Sequence, residues 1–186
     1  LLNRALAADV LSRVADRRHD DAAAADYAQR EVQAAQDLVR FDASNMDSWR
    51  YWTLGLRQVA DLQIQRGEVA DAIATMRSLF ALKQDKRLPS SLASTVAFNW
   101  IVFALWQGNA GDLAGAAQSM KSYAHDAGEY KEQLKPDDPK RTLITTAERG
   151  INATLQLFAG EPQAALATAT AAIAEVDGVK IDETDK

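Results

Sequence analysis

The sequence predicts an all-α fold of about eight helices paired into antiparallel hairpins, and three observations carry that prediction. Apolar residues recur at helical spacing along most of the chain, as in Ala28, Val32, Ala35, Leu38 and Val39. Only 4 prolines and 9 glycines interrupt 186 residues rich in alanine, leucine, glutamine and arginine, which are good helix formers. A common pattern also surrounds Gly67, Gly111 and Gly160, marking a repeated helical reversal.

The most apolar stretch runs from Val96 to Trp106, with Asn99 its only polar residue. It requires burial on nearly all sides. A membrane span needs about 20 apolar residues, so this stretch predicts a core helix flanked by others, with no membrane insertion. With 47% hydrophobic residues, the chain can bury a core as a single domain over residues 1–176, leaving a polar tail at 177–186. A net charge of −5 and a pI near 5.1 argue against nucleic-acid binding, which draws on clustered Lys and Arg. The absence of cysteine excludes disulfides and thiolate catalysis and leaves the compartment open. The numbering starts at Leu1, inside an apolar-periodic run with no initiator Met, which reads as a fragment or a processed chain.

The first helix is expected from about Asn3 to Ala15, with Ala5, Leu6, Val10, Leu11 and Val14 as its buried face. The polar break from Arg17 to Asp21 ends it, and a second helix follows from about Ala22 to Phe41. Ser44 and Asp47 have capping-box spacing for a third helix, which carries Trp49, Trp52, Leu56, Val59, Ala60 and Ile64 and closes at Gly67. Glu68 to about Lys83 forms the fourth, whose face is Val69, Ala72, Ile73, Met76, Leu79 and Phe80. Ser90 or Ser91 caps the buried fifth helix, which stops near Gly108, and a sixth spans roughly Asp112 to Ala127. Gly128 to Pro139 reads as a flexible loop. Two last helices run from about Lys140 to Ala159 and from Pro162 to Val176. The hairpins are thus expected at about 3–41, 45–83, 91–127 and 140–176.

The repeat is specific. Each of the three glycines is followed by an acid (Glu68, Asp112, Glu161) and preceded by Gln at −4 (Gln63, Gln107, Gln156) and Ala at −7 (Ala60, Ala104, Ala153). Another alanine stands at +5: Ala72, Ala116 and Ala165. Small residues on both helices let two antiparallel backbones approach, the glycine permits the reversal, and the acid complements the next helix dipole.

At these residues the sequence resembles the tetratricopeptide repeat family. Trp100, Phe103, Ala104, Gly111, Ala116 and Met120 stand at the family spacing, as do Leu56, Val59, Ala60, Gly67, Ala72 and Met76. The last unit keeps Ala153, Gly160, Ala165 and Ala169 but has Arg149 and Asn152 where large apolar residues are expected. The glycine spacings of 44 and 49 residues exceed the family's period of about 34, so the repeats are lengthened. The resemblance implies a right-handed superhelical array, a TPR-like α-solenoid, whose first helices line a concave groove that receives a protein or peptide partner. Carried over by position, that groove holds Leu54, Arg57, Asp61, Gln65, Phe98, Ile101, Leu105, Asn109, Thr154, Leu157 and Phe158.

No catalytic constellation, phosphate loop or nucleophile elbow is present. His19 and His125 have no partner at metal-ligand spacing, and the pairs Asp20–Asp21 and Asp137–Asp138 read as solvated turns, so no cofactor or metal is expected. In the aromatic cluster Trp49, Tyr51 and Trp52, packing against the first hairpin is favoured over partner contact. The expected function is a non-enzymatic protein–protein interaction or scaffold module, with homo-oligomerisation left open. The alternative is a regulatory or sensory ligand-binding domain of a larger signalling protein.

Overall fold

A computed structural model of the chain describes residues 2–176, without the side chains of 90, 91, 93 and 94. The predicted tail at 177–186 and the proposed caps Ser90 and Ser91 lie outside the described residues and side chains. Eight helices follow one another: α1 (Leu2–Arg17), α2 (Asp21–Phe41), α3 (Met46–Gln65), α4 (Val69–Ala81), α5 (Ser90–Asn109), α6 (Leu113–Gln133), α7 (Pro139–Phe158) and α8 (Pro162–Val176). A 3-10 turn, Leu82–Gln84, extends α4, and there is no strand among the described residues. The chain divides into two compact units between Val96 and Ala97, within α5.

In the first unit α1 packs on α2, α2 on α3, and α3 on α4. The predicted stripe of α2 is the buried one, with Ala28, Val32, Ala35, Leu38 and Val39 facing inward, and on α3 Trp49, Leu56, Val59 and Ala60 are buried while Trp52 and Ile64 are half-buried. On α4, Ala72, Met76, Leu79 and Phe80 are buried while Val69 is exposed. The expected face of α1 is corrected. Ala5, Ala8, Asp9, Ser12 and Ala15 are buried, whereas Leu6, Val10, Leu11 and Val14 are 40–49% exposed. The cause lies on α2, whose Ala24, Ala28 and Ala35 leave no accessible surface. Two small-residue faces close tightly, and Leu or Val between them would hold the backbones apart. The polar members of the α1 face are satisfied: Ser12 Oγ donates to Ala24 O at 2.7 Å, Gln58 Nε2 donates to Ser12 Oγ at 2.8 Å, and Asp9 pairs with Arg13.

The second unit is built on Ala104, Ala116, Met120, Tyr123, Ala127, Ile144 and Ile151, with Trp100, Ile101, Leu105 and Leu155 packed around them. The central stretch is buried unevenly, since Ala97, Asn99, Phe103 and Ala104 are inside while Phe98 is 40% exposed. Two further expectations are corrected. Gly128 to Gln133 is helical, because Tyr130 and Leu134 pack against this core and draw α6 on, so the irregular connection shrinks to Leu134–Asp138. The N-cap of α3 is Asn45, whose side chain accepts from the Asp47 and Ser48 amides, while Ser44 is engaged by Asp42 in a local turn.

The repeat has a physical form. Gly67, Gly111 and Gly160 have φ of 76°, 83° and 79°, the left-handed conformation that closes a helix. After each, the acid's amide donates back to the carbonyl of the −4 glutamine: Glu68 to Gln63 at 2.8 Å, Asp112 to Gln107 at 2.8 Å and Glu161 to Gln156 at 2.9 Å. The alanines at −7 and +5 are at most 5% exposed in all three hairpins, which is the close approach their size permits. The first hairpin makes the same turn without the glycine. His19 has φ 58°, Asp20 N donates to Ala15 O at 3.0 Å, and Ser12 and Ala24, both buried, occupy the −7 and +5 positions.

Candidate functional site

The glutamine of the repeat is a clasp across the hairpin. In the second hairpin Thr75 Oγ1 donates to Gln63 Oε1 at 2.8 Å, and in the third Ser119 Oγ donates to Gln107 Oε1 at 2.6 Å. Both hydroxyls stand eight residues after the turn glycine, as does Thr168 in the last hairpin. There the clasp is open: Gln156 Oε1 is buried with no hydrogen-bond partner. Gln156 and Thr168 instead line a cleft of about 610 Å³ between α6, α7 and α8.

Of the other two departures of the last hairpin, Asn152 lines the same cleft, whereas Arg149 pairs with Glu175. Eight residues before the glycine, the second and third hairpins bury Val59 and Phe103, and the last has the exposed Asn152. Leu113, Met120 and Leu155 supply apolar surface, with Ala117, Ala124 and Ala159 leaving room between them. Glu148 is held by Lys131 at 3.6 Å, whereas Lys121 and Glu161 make no ion pair among the described residues. The cleft thus combines an apolar floor, two carboxamides one helical turn apart, a hydroxyl, and one uncommitted charge of each sign. Such a surface is equipped to hydrogen-bond polar groups beside apolar ones.

The groove residues expected from the family resemblance fall in both units. On α3, Leu54 and Gln65 are exposed, and Arg57 Nε donates to Asp61 Oδ2 at 2.8 Å. Burial pushes the Asp61 pKa up against the opposing pull of Arg57. On α5, Phe98 lies 5.9 Å from the Tyr123 ring, Ile101 and Leu105 are half-buried against the core, and Asn109 is exposed. On α7, Thr154 donates to Gly150 O at 3.1 Å, Leu157 is exposed, and Phe158 sits over Gly108, where a Cβ would come within 2.6 Å of its ring. Phe158 is thereby brought to the C-terminal end of α5, next to Asn109. None of these eleven residues lines the α6–α8 cleft.

The aromatic cluster is structural in large part. Trp49 is fully buried, donates Nε1 to Ala43 O at 2.9 Å and stacks on Trp52 at 5.5 Å, while Tyr51 packs against Ala5, Ala34 and Leu38. His125 does have neighbours that the spacing argument passed over, with ligand atoms of Asp126 and Glu129 within 4.8 Å. Asp126 accepts from Trp100 Nε1 at 3.0 Å, and His125 and Glu129 form a surface i,i+4 pair at 3.7 Å. No helix is long and apolar enough to cross a membrane among the described residues. Compared with known proteins, the chain matches no family model, no curated protein and no solved structure.

Proposed function

We propose that this chain is a non-enzymatic helical-repeat module, a TPR-like right-handed array of hairpins, that binds a partner protein or peptide. The observation that carries the reading is the α6–α8 cleft, where the last hairpin exposes a carboxamide in place of a core residue and leaves its clasp open. Free amides beside apolar surface suit a ligand that is itself part polar and part apolar, as a polypeptide is. The groove faces of α3, α5 and α7 remain candidate partner surfaces, with Leu54, Leu157 and Phe98 exposed on them.

Crosslinking in the native host, read by mass spectrometry, tests the proposal. A partner protein joined reproducibly to Lys121 or to a neighbouring cleft residue is expected, and a survey returning no protein partner contradicts it. A second reading, a ligand-sensing domain, draws on the cleft volume, which lies within the range of about 300–1,000 Å³ of small-molecule sites. A thermal-shift screen of metabolites separates the two, since only the sensing domain gains stability from a small ligand.

A further inference from the structure

We infer that the cleft between α6, α7 and α8 takes an extended peptide segment of a partner protein and holds it by its main chain. The inference rests on the binding-module reading and narrows it to one site and one ligand chemistry. Asn152 and Gln156 both line the cleft from α7. Four helical residues advance about 6 Å along the axis, and two residues of an extended chain advance about 6.6 Å. Carboxamides at that pitch meet successive same-side peptide units of a segment running along the helix. Each offers its N–H to a main-chain carbonyl and its oxygen to a main-chain N–H.

Gln156 is available for this pairing, because its Oε1 has no partner in the hairpin, so turning the carboxamide into the cleft breaks no bond to that oxygen. A peptide N–H that meets the turned carboxamide supplies the missing bond. Thr168 adds a hydroxyl from the facing helix. Between Glu148 and Gln156, α7 provides a floor of about 12 Å, enough for three to four extended residues. Side chains of an extended segment alternate, so every second one meets Met120, Leu155 and Leu113 while the others point to solvent. Lys121 and Glu161 favour an acidic residue at one part of the segment and a basic one at another. The ligand is therefore short, extended, apolar at alternate positions and otherwise tolerant in sequence.

The probe is a peptide selected on the full chain from a randomised dodecamer library, with binding followed by fluorescence anisotropy. Asn152→Leu and Gln156→Leu are each expected to weaken Kd at least tenfold. N-methylation of the peptide backbone is expected to weaken it at alternate residues only. Gln107→Leu, at the same repeat position but with its glutamine clasped to Ser119, is expected to leave Kd within twofold. Circular dichroism confirms that each variant is folded. Saturable binding indifferent to both cleft variants overturns the placement while leaving a binding module intact. If no selected peptide binds saturably, the placement and the binding-module reading fall together.

Discussion

His19 adopts the left-handed conformation that glycine adopts at the three other hairpin turns, with φ 58° and its local hydrogen bonds intact. A side chain there costs roughly 1 kcal/mol. His19→Gly is therefore expected to raise stability by up to about 1 kcal/mol in urea denaturation, and Gly111→Ala to lower it by about 1 kcal/mol. The Gly111 effect is purely conformational, because no atom lies within 4 Å of where its Cβ would stand. Glu31 on α2 is the other residue with a legible cost. It has no accessible surface, both carboxylate oxygens lack partners, and burial pushes its pKa up to about 7 against the opposing charge of Arg13. The folded state then holds its proton more tightly than the unfolded chain, so the stabilising difference is complete below about pH 4.5 and is lost as pH rises through about 7. The loss is roughly 3 kcal/mol, and Glu31→Gln is expected to remove that slope from a series of melts at pH 4–8. A variant that keeps the slope would show that another group titrates.

At the scale of the element, the clasp makes a comparative prediction. Gln107→Leu strands the Ser119 hydroxyl, which is 3% exposed, and is expected to cost about 1–2 kcal/mol in thermal melts. Gln156→Leu removes an acceptor that already lacks a partner, so it is expected to be neutral or slightly stabilising. Helix existence and order were legible in the sequence because apolar period and propensity agree along α2, α3 and α4. The face of α1 was not, since an alanine-lined neighbour selects for small size over hydrophobicity, and Leu6 and Val10 lose that competition. The extension of α6 past Gly128 was hidden for a related reason, as Tyr130 and Leu134 pack on residues distant in sequence. The clasp hydroxyls Thr75, Ser119 and Thr168 were present in the aligned repeat, and their role emerges only when Gln63 and Gln107 are seen facing them.

For the whole molecule, one turn design recurs in four hairpins, and the last departs from it where it opens a cleft. The first hairpin escaped the sequence alignment because His19 and Ser12 replace the glycine and alanine that signalled the other three. The cleft escaped it too. Arg149 and Asn152 were visible as breaks in the pattern, but a break in a core position becomes a site only when the neighbouring helices leave it uncovered, as they do Asn152, while Arg149 is taken up by Glu175. The central claim is that recognition occurs there, along α7. Titration of isotope-labelled protein with a selected peptide, followed by amide chemical shifts, tests it most directly. Perturbations concentrated on 117–124, 148–156 and Thr168 are predicted, and perturbations confined to α3 and α5, with those segments silent, would contradict it.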